Sequence, residues 1–270
     1  MKRLLLLLLF VLCFAPNAFA YTFIDTYLDL NAVDANYFVD DGDDGVTESF
    51  SQMSYDAVTV STINLITGQI VDSGLAYITS LTTTAGTRPA DDEGLDNSYG
   101  ITLVWDDLTG QVTSNDGSTI TADYTSGTIR VYVDYDPYAL DINNPGSYSD
   151  GTLVAEIEVT SGGYSLSLDG SDGSSYTLWG SFKELLDGFW FETSTDLDLN
   201  EYLDLDWLLA YSAGDNDPES VSFDYSEQGF LKVTSDHNSS IDVALVPEPG
   251  SFLLLGAGLI GVGFYARRRK

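Results

Sequence analysis

The stretch Gly127–Tyr135, GTIRVYVDY, decides how the rest of the chain is read. Ile129, Val131, Val133 and Tyr135 fall on one side of it; Arg130, Tyr132 and Asp134 fall on the other. A two-residue period of this kind marks an extended strand with one buried face. Thr152–Thr160, TLVAEIEVT, repeats the pattern, with Leu153, Ala155, Ile157 and Val159 set against Glu156 and Glu158. YGITLVW, GYSLSLDG, VSFDYSE and GFLKVTS are shorter strands of the same kind. Between them lie turn formers: Asn115–Ser118, Asn143–Ser147 and Asp169–Ser175. Many short strands joined by Gly/Asp turns, with no strand–helix–strand rhythm, predict an all-β fold: an antiparallel β-sandwich or jelly roll.

One or two short helices interrupt this expectation. SFKELLDGFW offers Ser181 as an N-cap with Glu184 three places on, and Phe182, Leu185, Leu186 and Phe189 share a helical face. In DLDLNEYLDLDWLLAY the alternation of Leu197, Leu199, Leu203, Leu205, Trp207 and Leu209 favours a strand, with Asn200 as the cap of an alternative second helix. SDHNSS, Ser235–Ser240, reads as a polar loop.

The two ends differ from this body. Lys2 and Arg3 precede an apolar run, and Ala18 and Ala20 stand where small residues precede a cut, so residues 1–20 read as a secretory signal peptide. Cys13, the one cysteine, lies inside it; the mature chain is expected to hold no disulfide and no thiolate. At the other end, Ser251–Ala266 is apolar or small throughout. It covers about 24 Å as a helix, close to the hydrocarbon thickness of a bilayer. Arg267, Arg268, Arg269 and Lys270 follow, a stop that stays cytoplasmic and leaves the large domain outside. Pro247 and Pro249 end regular structure just before the span. The division is therefore 1–20 leader, 21–246 extracytoplasmic domain, and 247–270 tail.

The whole chain has a formal charge of −32. Residues 21–246 carry 41 acidic residues against four basic ones, Arg88, Arg130, Lys183 and Lys232, a net of −37. Such a surface repels nucleic acid and anionic lipid, and attracts divalent cations diffusely. Its densest acidic loop is Asp40, Asp41, Asp43 and Asp44, the candidate calcium loop. An EF-hand register does not fit there: a loop begun at Asp40 places Gly42 third and Ser51 twelfth. One begun at Asp196 places Glu201 sixth and Trp207 twelfth. A structural Ca²⁺ is the one cofactor this loop suggests.

Catalytic constellations find little support. His237 is the sole histidine, in a polar run and with no G-x-S-x-G elbow anywhere, so neither a Ser-His-Asp triad nor a His-ligated zinc is readable. The acids supply too many carboxylate pairs for any one pair to mark a glycosidase. Tyr124, Tyr132, Tyr138 and Tyr148, in polar company, are candidates for stacking on sugar rings or simply for sheet faces.

The tail carries a resemblance. Val246-Pro-Glu-Pro-Gly-Ser, a glycine-rich apolar segment and a terminal Arg/Lys cluster, in that order at the C-terminus, resemble the PEP-CTERM protein-sorting domain. The resemblance implies that Pro247, Glu248 and Pro249 form the motif recognised by an exosortase, a membrane-embedded cysteine transpeptidase. The chain would be its substrate. Export through the secretion machinery of a Gram-negative bacterium, transient anchoring in the inner membrane by residues 251–266, and delivery to the cell surface or matrix follow from it. The body also resembles the flocculation-associated members of that group through its sheet-like middle. That implies a non-catalytic structural or adhesive role linked to exopolysaccharide or biofilm. The alternatives are a secreted glycan-active enzyme or a carbohydrate- or calcium-binding module.

Overall fold

A computed structural model of the chain describes residues 22–35, 44–135, 144–168, 174–204, 208–215, 220–225 and 228–246. The expected leader and tail, Asp40, Asp41, Asp43 and Tyr138 lie outside the described residues.

Among the described residues every strand pairing in the two sheets is antiparallel. The strands are β1 (Thr22–Phe23), β2 (Thr26–Leu28), β3 (Gln52–Asn64), β4 (Gln69–Thr82), β5 (Gly100–Asn115), β6 (Thr119–Ser126) and β7 (Thr128–Asp134). They continue with β8 (Thr152–Ser167), β9 (Ser174–Leu185), β10 (Trp190–Glu192), β11 (Leu197–Asp198), β12 (Leu208–Asp215), β13 (Ser220–Asp224) and β14 (Phe230–Val246).

The main sheet closes on itself. Each long strand pairs with the next in sequence: β3 with β4, β4 with β5, β5 with β6 and β7, these with β8, β8 with β9, β9 with β12, and β12 with β14. Strand β14 then pairs with β3 along Phe230–Asp242, which completes the ring. Strands β6 and β7 fill one position of that ring end to end, broken at Gly127. Among the described residues β13 pairs with β14 alone, further along the edge of β14 that β12 occupies. The result is an up-and-down barrel rather than the expected sandwich or jelly roll. Alternation and turn chemistry are common to all three; closure depends on pairing β3 with β14, far apart in the chain.

The alternation read from the sequence faces the barrel interior. All thirteen residues of β3 alternate, with Met53, Tyr55, Ala57, Thr59, Ser61 and Ile63 inward. Ile129, Val131 and Val133 of β7 are buried as expected. Leu153 is not: it is 40% exposed, because a bulge opposite Val131/Tyr132 slips the register and buries Val154 instead.

At one end, the base, β2, β10 and β11 form a small second sheet that plugs the barrel with Leu28, Leu30, Phe50, Phe189 and Trp190. The helix expected at Ser181 does not form; this stretch is the end of β9. Ala155↔Leu185 and Ile157↔Phe182 pair it with β8 across a bulge, so two inward residues stand three apart and imitate a helical spacing. The alternative helix does form, as α1 (Leu199–Asp204), but Asn200 lies inside it rather than at its cap. Asp198 initiates it by accepting from the Asn200 N–H at 2.9 Å. The opposite rim, the tip, exposes Leu65, Phe230 and above all Ile66, which is 82% exposed.

Candidate functional site

Three places bear on function. The first is inside the barrel. Ser235–Ser240 is the middle of β14 rather than a loop, and His237 is 2% exposed there. Its Nε2 lies 3.2 Å from Thr59 Oγ1, and the Tyr176 ring meets it edge-on at 4.8 Å. Across the same cavity Asp72 is fully enclosed. It accepts from Ser61 Oγ, from Trp105 Nε1 at 2.9 Å and from the Tyr124 hydroxyl at 3.0 Å. Burial raises the Asp72 pKa, while these three donors lower it. The Tyr124 phenol is raised too, by burial first and by Asp72 second.

Gly74 makes this cluster possible. It pairs directly with Trp105, and a Cβ on it would sit 2.2 Å from the indole, displacing the ring that reaches Asp72. The Tyr164 hydroxyl faces the same cavity with no partner in hydrogen-bonding geometry. The cavity holds about 10 Å³, room for one water and for nothing larger. Tyr124 therefore serves the interior and cannot stack on an external sugar.

The second place is a groove of about 280 Å³ on the outer face of β3, β4 and β14. Val58 and Leu75 line it with Asp56, Asp236, Tyr77 and Tyr148. Tyr77 donates to Asp56 Oδ2 at 2.9 Å, and its pKa is pushed up to about 12, by burial first and Asp56 next. A 3-10 turn, Pro145–Tyr148, places Tyr148 against β5, where Thr102 Oγ1 donates to the Tyr148 carbonyl at 2.7 Å. Tyr132 is half-buried on the outer face of β7.

The third place is the end of β14. Thr22 and Phe23 of β1 pair with Leu245 and Ala244, and Val246 pairs with Leu208 of β12. Strand β14 is thus still paired at Val246, and Pro247 comes next in the sequence. Residues 245–270 match the model of the PEP-CTERM protein-sorting motif. The chain ends in an exosortase sorting segment. It is an exported, sorting-tagged β-rich protein with a cell-surface or secreted destination, and exosortase is its partner through that motif. No curated protein and no solved structure matches the chain.

Of the calcium-loop residues, Asp44 is described: its carboxylate accepts from the Val46 N–H at 3.0 Å, an ordinary turn contact. Among the described residues no group of three or more metal-ligating side chains comes together. Among the same residues no helix is long and apolar enough to cross a membrane; residues 251–266 lie outside them. The buried Asp72–His237 cluster was missed in the sequence. Ser235–Ser240 is as polar as a loop, and the one available signal was the inward Thr59 and Ser61 of β3, which call for a polar partner strand.

Proposed function

We propose that this protein is a non-catalytic structural or adhesive component of the bacterial surface or extracellular matrix, linked to exopolysaccharide or biofilm. The observation that carries the reading is a sorting segment fused directly to a barrel whose interior is filled by its own side chains. A barrel of this size can enclose one small ligand only when its inward residues leave space. Here the lone histidine is sealed inside, and the exposed features are the outer groove, the apolar tip and a strongly acidic wall. The inner-membrane stage, a Gram-negative host and anchoring through residues 251–266 with Arg267–Lys270 inward belong to the same reading.

Deletion of the protein from its host tests it. Cells lacking it settle more slowly and retain less matrix polysaccharide, and the full-length chain restores both. Unchanged settling and retention would discard the reading.

The groove favours a second reading, a carbohydrate-binding module. The half-buried Tyr77 ring over an apolar floor with carboxylate acceptors suits the face and hydroxyls of a neutral sugar; Tyr148, 5% exposed, only edges the groove. On that reading Tyr77→Ala weakens retention of the mature domain on host polysaccharide about tenfold. Equal retention of both forms removes it.

A further inference from the structure

The join between barrel and tail constrains how the sorting enzyme can approach. Strand β14 is paired on both sides at its end: Leu245 with Thr22 of β1, Val246 with Leu208 of β12. The matched sorting segment begins at residue 245, so its first two residues are the last two of the closing strand. No spacer separates them. Pro247 has no N–H to continue a ladder. From Val246 to the end of Pro247-Glu248-Pro249 the chain reaches at most about 10 Å, three residues fully extended. Any protein that grips this motif therefore meets the base rim of the barrel.

One side chain stands out on that rim. Phe23 is 56% exposed. It pairs directly with Ala244, so the two side chains share a face of the sheet. The Ile24 N–H donates to the Val243 carbonyl, which makes Phe23–Ala244 the close, non-hydrogen-bonded pair. An aromatic ring left in water two residues from the end of β14, on a domain this acidic, has the character of a binding anchor. The tip residues Leu65, Ile66 and Phe230 lie at the other end of the barrel and cannot serve the same partner.

We propose that the base rim, with Phe23 of β1 as its anchor beside the ends of β12 and β14, is the docking surface for the extracytoplasmic face of the exosortase. The motif and the folded rim are then read together, and the cut is made on a closed barrel.

The test follows conversion of the full-length chain to its processed form by pulse-chase in cells containing the exosortase. Only molecules that have already lost the leader are counted, because Phe23 lies close to the leader cut. Phe23→Asp and the milder Phe23→Ser slow conversion about fivefold or more, and Phe23→Tyr converts at the wild-type rate. A twelve-residue Gly/Ser insert between Val246 and Pro247 slows the wild type to the same extent, and Phe23→Asp then has no further effect. Protease resistance of the exported body reports that each variant is folded.

Wild-type conversion of both Phe23→Asp and Phe23→Ser overturns the proposal. So does an insert that leaves conversion unchanged or speeds it, or a Phe23 defect of equal size with and without the insert. Replacing Pro247, Glu248 and Pro249 by alanine separates this from the sorting reading: that triple variant stays full-length whether or not the rim takes part.

Discussion

Asp72 is the residue at which the chain departs furthest from its own surface chemistry. A carboxyl sealed in a barrel is costly unless donors surround it, and here Ser61, Trp105 and Tyr124 do. Burial dominates and its pKa is raised. The unfolded chain then gives up this proton near pH 4, and the folded chain gives it up at higher pH. Between those two values the folded state holds more protons, so stability falls as pH rises through the window; below it the contribution is complete. Asp72→Asn removes that dependence. Chemical denaturation at pH 3.5 and pH 7 is expected to show the variant gaining about 1 kcal/mol or more on the wild type between the two. A relative loss over the same range would mean that the donors, not burial, set the balance. Gly74, two residues along β4 from Asp72, supports the same contact by leaving room for Trp105 of β5. Gly74→Ala drives a methyl into the indole of Trp105 and is expected to cost about 1–3 kcal/mol, read as a lower urea midpoint with unchanged slope. A neutral substitution would show that Trp105 has room to move.

At the scale of elements, what was legible was what alternates. Ile129, Val131 and Val133 announced β7, and Ala155, Ile157 and Val159 the first half of β8, because a strand with one face in a core must repeat every two residues. What misled was each place where another force broke that period. The bulge opposite Ile157 set Phe182 and Leu185 three apart, and tertiary pairing with β8 overrode a good capping box. Strand β14 hid because its middle faces a polar pocket and so has no apolar stripe. The sorting segment was readable for the opposite reason: its recognition depends on a short linear order of residues rather than on packing. Closure of the barrel was not readable, since it rests on pairing β14 with β3 over the whole length of β3. The importance of that seam can be measured. Val233→Asp places an unpaired charge on the inward face of β14, opposite Ser61. It should abolish cooperative unfolding at 37 °C and leave the exported body open to protease. Retained cooperativity would show that the barrel holds without its last strand.

For the molecule as a whole, charge opposes closure. The body carries 41 acidic and four basic residues, and among the described residues Arg88, Arg130 and Lys183 lie in ion pairs that recruit acids from neighbouring strands or turns. Arg130 reaches Asp106 on β5 and Glu156 on β8, each at 3.7 Å; Lys183 on β9 reaches Glu158 on β8 at 3.5 Å. These partly exposed pairs offset only a small part of the repulsion. The rest is spread over the wall and is felt across distances that salt screens. Raising NaCl from about 20 mM to 0.5 M is therefore expected to raise the melting temperature of the mature domain by about 3 °C or more, with KCl equivalent to NaCl. Screening weakens repulsion among many charges more than it weakens a few ion pairs, which gives the effect its sign. Millimolar CaCl₂ in a background of 0.5 M NaCl distinguishes diffuse screening from a bound ion. If the acidic wall acts only as a wall, calcium adds nothing once sodium has screened it. A further rise that saturates at low millimolar calcium would instead assign a specific site, with the Asp40–Asp44 loop as the first place to substitute.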